Sequence, residues 1–364
     1  MRVLHIFGTM NRGGAELRTI SLMPDMGARD VVFDYCVLSG EKGVMDETIE
    51  QYGGSLHYCK LDVAFVFTFI ALLRKHNYDA VHSHVAYVSG FILLLARIAR
   101  VKRRICHFRN TSDGGDASLL RKLRNKLLRL SIKLNATHIL GVCAGALIGF
   151  MGNRWAENPK CQVIYNGFAA IDSDPKDDFW RHKISDYQQQ KVIVNVARMD
   201  HQKNHLRQAH IFHQITLIHP DVHMVWIGKE EENCKNTMLA FLNDKGITHQ
   251  TTFMGLQADV MPLVDNADVM LFPSLWEGLP GGVIEAASVG LAVVASDLPG
   301  VIEIAQQLPV VNVLPLTASD QQWAERVVLS FSDTSAKAQA VIQFKSSEFQ
   351  LINNVNQLHA IYTA

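Results

Sequence analysis

Residues 274–297 read SLWEGLPGGVIEAASVGLAVVASD: a glutamate at 277, a glycine- and proline-rich turn over 278–282, a second glutamate at 285, then a small-residue helix. The preceding ADVMLF, residues 267–272, is an apolar run of strand length, so the order is strand, glycine-rich turn, helix. That order sets backbone N–H groups and a helix N-terminus at the carboxyl edge of a sheet, where anionic ligands are held. With a helix beginning near Gly282, Glu285 falls in its first turn, where the dipole favours an ionised carboxylate; a purely structural N-terminal acid fits the same position.

Working outward, the same rhythm fills the second half of the chain. KVIVNVAR (191–198) is a strand, MDHQKN a loop, 206–220 a helix and VHMVWIG a strand. A helix at 236–245, the strand TTFMG and a short helix at 260–266 follow, and VVAS, VVNVL and helices at 319–331 and 334–344 come after the quoted stretch. The first half repeats the pattern with strands RVLHIF (2–7), VVFDYCVL (31–38), SLHYCKL (55–61), DAVHSH (79–84), RRICHFRNTS (103–112), HILGVCAG (138–145) and CQVIYNGF (161–168). Helices are expected at 44–52, 63–76 and 87–100. Short strands alternating with helices predict an α/β chain with parallel sheets covered on both faces. The polar stretch over 169–189 reads as a linker between domains at 1–168 and 190–345, with a final helix in 346–364.

The chain has 364 residues, enough for two cores, and its formal charge is balanced. The balance hides an asymmetry: residues 1–170 hold 22 Lys and Arg against 13 Asp and Glu, so the first half is basic and the remainder acidic. An anionic partner for the first half and simple complementarity between halves both fit that split. Six cysteines without a CxxC pair, and a chain that enters a strand at once, set the expectation of a reducing cytoplasm without a signal peptide. The apolar runs at 63–73 and 91–96 are too short to cross a bilayer. From Ser118 to Ala136, leucines alternate with six Lys and Arg and no acid, giving an amphipathic basic helix. It fits a peripheral place on an anionic membrane and equally a solvated basic face.

Arg198 and Lys203 follow directly after the strand at 191–197. Two cations on such a loop can embrace a diphosphate, the Arg through its fork and the Lys as a point charge; a pair of solvated loop charges is the plain alternative. Carboxylates cannot hold a phosphate but accept hydrogen bonds from sugar hydroxyls. Glu277 and Glu285 with the cation pair therefore fit a sugar carried on a diphosphate. Gly13 and Gly14 sit where the first strand turns into a helix, a place for a phosphate or an ordinary loop. His201, His205, His210 and His213 complete no zinc pattern, so no metal is expected. His82 and His84 are expected to face opposite sides of their strand, leaving at most one to line a cleft.

Taken together, GGAE at 13–16, DAVHSH at 79–84, ICHFRN around His107, YNGF at 165–168, the Arg198 and Lys203 pair, ADVMLFPSLWEGLPGGVIEA and ASDLPGVIEI resemble glycosyltransferase family 4 along most of the chain. The resemblance implies the retaining GT-B architecture: two Rossmann-like domains facing across a deep cleft, the last helix crossing back to the first. It implies donor contacts from Gly13, Gly14, Arg198, Lys203, Glu277, Gly278, Leu279, Gly281, Gly282 and Glu285. Arg198 and Lys203 would stabilise the leaving nucleoside diphosphate, Glu277 the sugar hydroxyls and Glu285 the ribose. His107 would lie beside the sugar, with His84, Arg109 and Asn110 on the acceptor side.

By the same resemblance no cofactor or metal is needed and a UDP-sugar is the expected donor; the basic helix and the charge split set the expectation of a glycan acceptor on a lipid carrier at the inner face of the cytoplasmic membrane. The products would be surface polysaccharides, and no nucleic acid partner is expected. A nucleotide-sugar 2-epimerase of this architecture and a non-catalytic sugar- or membrane-surface binding protein are the rivals. Two departures concern the acceptor half: AAID follows YNGF where the family commonly has an acid, and Ala144 and Gly145 stand where a serine is usual.

Overall fold

The computed structural model describes residues 1–112, 118–171, 176, 178–184, 187, 190–331 and 334–364. The expected linker over 169–189 therefore lies partly outside the described residues. Residues 1–167 with 351–364 make one compact unit, and residues 168–350 a second.

In the first unit the chain runs β1 (Arg2–Phe7), α1 (Gly14–Ser21), α2 (Met23–Gly27), β2 (Val32–Val37), α3 (Asp46–Gln51), β3 (Leu56–Tyr58), α4 (Phe65–His76), β4 (Ala80–Ser83), α5 (Ser89–Ile98), β5 (Arg103–Phe108), α6 (Leu119–Asn135), β6 (His138–Gly141), α7 (Ala144–Met151) and β7 (Cys161–Val163). The strands pair in parallel in the order β3-β2-β1-β4-β5-β6-β7. Strands buried on both faces read as continuous apolar runs, which is why RVLHIF and VFDYCV were legible. The order reverses between β1 and β4, so the loops leaving those strands part at that point and open a crevice.

Several boundaries move. α5 is shorter than the expected 87–100 because a 3-10 turn over Ala86–Val88 precedes it. β7 stops at Val163, short of the expected Phe168, and α7, not anticipated, starts where Cys143 Sγ accepts from Ala146 N. In α6, Ser118 caps the first turn, and the leucines at 119, 120, 123, 127, 130 and 134 are 53–84% exposed.

The second unit runs β8 (Lys191–Val196), α8 (His205–Ile218), β9 (Val222–Ile227), α9 (Glu232–Asp244), β10 (Thr251–Phe253), α10 (Met261–Asp265), β11 (Val269–Phe272), α11 (Gly281–Ser288), β12 (Ala292–Ser296), α12 (Pro299–Gln307), β13 (Val311–Leu314), α13 (Asp320–Leu329) and α14 (Thr334–Lys345). Its parallel sheet has the order β10-β9-β8-β11-β12-β13, the doubly wound pattern, with the reversal between β8 and β11. α9 begins four residues before the expected start, because the Glu231 carboxylate caps it by accepting from Asn233 N and Cys234 N. Trp226, Phe212, Trp323 and Leu271 fill the core between sheet and helices.

The last helix, α15 (Leu351–Thr363), belongs to the first unit. Val355, Leu358, Ile361 and Tyr362 pack into the core that also holds Val3, Phe7, Phe33 and Tyr35. Asn354 Nδ2 fastens it by donating to Tyr165 O at 2.6 Å.

Candidate active site

In the second unit β8 and β11 lie side by side, with Val269 opposite Ile193 and Met270 opposite Val194. Their loops consequently leave the carboxyl edge of the sheet together, at the reversal of strand order. The first loop carries Arg198 and Lys203 and the second carries Glu277. Gly228, after β9, is required here. Its φ is +142°, and a Cβ at that position would overlap Ala197 O, immediately before Arg198.

The two loops are stitched together by their own polar atoms. Leu275 N donates to Gln202 O at 2.8 Å, Gln202 Nε2 to Trp276 O at 2.6 Å, and Asn204 Nδ2 to Pro273 O at 3.1 Å. Asp200 Oδ1 accepts from Lys203 N, closing a 3-10 turn over His201–Lys203, and Asn204 then takes a left-handed φ of 56° as α8 begins. From below, Gln208 Nε2 donates to Lys203 O at 2.8 Å while Trp226 Nε1 donates to Gln208 Oε1 at 2.8 Å, both side chains being buried. Sequence reasoning passed over Asp200, Gln202, Asn204 and Gln208, since none has a pattern that separates it from ordinary loop or helix polarity.

The stitching brings Lys203 and Glu277 into contact. Lys203 Nζ and Glu277 Oε1 are 2.5 Å apart, and the side chains are only 15% and 8% exposed. The ammonium also sits 5.0 Å from the centre of the Phe272 ring. Arg198 is different: 65% exposed, with Nη2 3.4 Å from Asp200 Oδ2. One cation is thus fixed against a carboxylate and the other extends into solvent at the same sheet edge.

α11 starts at Gly281 with Pro280 as its N-cap, so Glu285 is the fifth helical residue. This corrects the expectation that it lies in the first turn: the proline ends the loop one residue earlier than the glycines suggest. No side chain caps α11, so its first amides, on Gly281 and Gly282, point outward unpaired within the helix. Gly278 and Leu279 form the buried turn before it. Gly300, in α12, packs so closely on that turn that a Cβ would overlap Gly278 O.

In the first unit, Gly13 is the N-cap of α1 and Gly14 its first residue, with Leu17 N donating to Gly13 O at 3.0 Å. β5 and its continuation bring together more than was expected. His107 lies inside the strand and is 1% exposed, whereas Arg109 is half-buried and Asn110 exposed. His5, which sequence reasoning missed as a polar residue inside the apolar run RVLHIF, joins His82, His84 and His107.

The expectation that His82 and His84 face opposite sides is wrong. Residues two apart in a strand share a face, and the two rings stack with centroids 4.3 Å apart.

Two hydrogen-bonded chains run through this cluster. Arg109 Nε donates to His84 Nδ1 at 3.1 Å, and His84 Nε2 meets His5 Nδ1 at 3.0 Å. Tyr362 Oη meets His82 Nδ1 at 2.6 Å, and His82 Nε2 meets His107 Nδ1 at 3.1 Å. Burial, followed by the positive charge of Arg109 and by neighbouring rings, holds all four imidazoles well below the usual histidine pKa, so they are neutral at pH 7. Burial also lowers the Arg109 guanidinium to about 10, partly offset by Tyr362, Glu16 and Tyr35.

Ring nitrogens of His5, His82 and His84 lie within 4.8 Å of one another, a spacing open to a metal ion. The hydrogen bonds argue against one: Arg109 already donates into His84 Nδ1, His84 Nε2 is bonded to His5 Nδ1, and both ring nitrogens of His82 are engaged by Tyr362 and His107. His201, His205, His210 and His213 form no such group among the described residues.

The chain matches two family models. Residues 12–170 fit Glycosyltransferase Family 4, and residues 190–333 fit Glycosyl transferases group 1. It is 33% identical over 303 residues to the capsular polysaccharide biosynthesis glycosyltransferase CapH of Staphylococcus aureus, covering 82% of each chain. It is 25% identical over 299 residues to the N,N'-diacetylbacillosaminyl-diphospho-undecaprenol alpha-1,3-N-acetylgalactosaminyltransferase of Campylobacter jejuni, covering 79% of this chain and 73% of that one. The crystal structure of HepE from Anabaena, solved in complex with UDP, superposes with a TM-score of 0.81 at 16% identity over 99% of both chains. Two doubly wound units with the family's sequence in both halves make the chain a glycosyltransferase of family 4, with the GT-B fold.

Proposed function

We propose that the enzyme moves a hexosyl or N-acetylhexosaminyl group, with retention, from a UDP-sugar to a lipid-linked glycan during synthesis of a surface polysaccharide. The observation that carries the donor half is the junction of Lys203, Glu277, Arg198 and the α11 N-terminus at the switch point of the second sheet. Arg198 and Lys203 place positive charge where the departing diphosphate gathers negative charge, and the Gly281 and Gly282 amides add oriented dipoles. Glu277 accepts from sugar hydroxyls while the contact with Lys203 orients its carboxylate. Glu285, half-buried one turn along α11, accepts from the ribose. This arrangement supplies transition-state electrostatics from the chain itself, so transfer continues in EDTA. The leaving phosphate assists removal of the acceptor proton on the face from which it departs, so no protein nucleophile is required.

The acceptor half rests on the relatives, one of which acts on a diphospho-undecaprenol-linked substrate, and on α6. No helix among the described residues is long and apolar enough to cross a membrane. α6 offers instead exposed leucines among Arg121, Lys122, Arg124, Lys126, Arg129 and Lys133, a surface that lies on an anionic bilayer and leaves the enzyme peripheral. A thermal-shift screen of UDP-, GDP- and ADP-sugars tests the donor. UDP-sugars are expected to raise the melting temperature, and stabilisation by another nucleotide alone would overturn the assignment.

A further inference from the structure

The groups hydrogen-bonded to Arg109 are all neutral, and the Glu16 carboxylate acts on it only through its charge at longer range. It donates from Nε to His84 Nδ1 at 3.1 Å, from Nη1 to Asn166 Oδ1 at 2.7 Å and from Nη2 to Thr19 Oγ1 at 3.4 Å. Among the described residues no carboxylate is bonded to it. A guanidinium can only donate, so His84 accepts at Nδ1 and carries its proton on Nε2. That proton is given to His5 Nδ1, which leaves the proton of His5 on Nε2. The imidazoles are therefore neutral acceptors in a relay that starts at Arg109, and they fix the plane of the fork without cancelling its charge.

A carboxylate in place of His84 would orient the guanidinium equally well and neutralise it. The imidazole, amide and hydroxyl orient it and keep it positive. A half-buried cation whose hydrogen-bond partners are all neutral is only partly compensated by the more distant Glu16 charge, and an anion arriving beside it relieves the remaining cost. Of five N–H donors three are used, which leaves one on each terminal nitrogen, enough for two oxygens of one phosphate. Arg109 is half-buried and follows β5, one strand beyond the reversal of strand order between β1 and β4, so a ligand can reach it.

From this geometry we propose that Arg109 is the receiving point for a phosphate group in the first unit, positioned for it by His84, Asn166 and Thr19. Phosphate comes from two sources in this reaction, the lipid diphosphate of the acceptor and the nucleoside diphosphate of the donor. Assigning a source rests on the transferase reading above; the anion site itself does not.

The test is a calorimetric titration of inorganic pyrophosphate into the full chain, with and without saturating UDP. The UDP-saturated enzyme is expected to bind pyrophosphate, Arg109→Gln to weaken that binding at least tenfold, and Arg109→Lys to fall between, since it keeps the charge and loses the fork. UDP affinity should change less than twofold in both variants. If the Arg109-dependent binding vanishes when UDP is present, the site stands and its phosphate is the donor's. Pyrophosphate binding that is indifferent to Arg109→Gln and Arg109→Lys under both conditions overturns the proposal. Lys203→Ala separates the two readings: UDP affinity unchanged by that substitution sinks the donor site while leaving the Arg109 result to be judged alone.

Discussion

Lys203→Ala, alone and combined with Glu277→Gln, distinguishes a catalytic lysine from one that merely neutralises a buried acid. The two side chains are 15% and 8% exposed and 2.5 Å apart, so removing the ammonium strands a carboxylate in a nearly closed site. Breaking a buried pair costs about 3–5 kcal/mol; with the residual exposure of Lys203 the lower end, about 3 kcal/mol, is expected. For a unit of this size that shifts its melting transition down by roughly 6–12 °C. Glu277→Gln removes the stranded charge and should restore most of that loss.

Activity should behave differently. If Lys203 stabilises the leaving diphosphate, Lys203→Ala lowers kcat/KM about 10²–10³-fold, and the second substitution does not rescue it. Thermal unfolding and initial-rate kinetics on all four proteins of the cycle separate the two effects. A double variant that regains both stability and rate would refute the catalytic assignment and leave Lys203 as the counter-ion of Glu277.

The histidine cluster makes stability fall with acid. His5, His82 and His107 have folded pKa values pushed below 6.5 by burial, so the unfolded chain binds more protons as pH drops and stability is complete only above about pH 6.5. The melting temperature should therefore fall as pH is lowered from 7.5 to 5.5; a melting temperature flat over that range contradicts this. Gly300→Ala forces a methyl group onto Gly278 O and should cost about 1–3 kcal/mol and weaken UDP binding, because the displaced turn carries the Glu277 backbone. Isothermal titration with UDP reads that effect, and unaltered affinity contradicts it. For α6, liposomes rich in anionic lipid should carry the protein upward in flotation at low salt, and replacing Leu123 and Leu127 with Ser should leave it at the bottom. Equal flotation of both proteins removes the helix from the membrane account.

The α/β class and the division into two halves were legible because strands in parallel sheets must be apolar on both faces, so RVLHIF, KVIVNV and ADVMLF stand out without any tertiary information. Arg198, Lys203 and Glu277 were legible for a related reason: they lie in the segments that follow such strands, where a side chain with no core to fill is free for chemistry, whereas Glu285 belongs to α11.

Helix ends were less so. Pro280, Glu231 and Cys143 decide where α11, α9 and α7 begin, through cap geometry that composition does not reveal. The parity of His82 and His84 was available from strand geometry alone, and applying it places both rings on one face.

By itself, then, the order of residues determined the family, the alternating architecture and which loops carry charge, since these follow from hydrophobic periodicity and short motifs. Tertiary structure alone decided the partners. It set Lys203 against Glu277 across 74 residues of sequence, and it linked Tyr362 to His82 across 280. It also surrounded Arg109 with neutral acceptors from three separate elements. Such contacts depend on strand order at the carboxyl edge of each sheet, and strand order is a property of the folded sheet that no local pattern encodes.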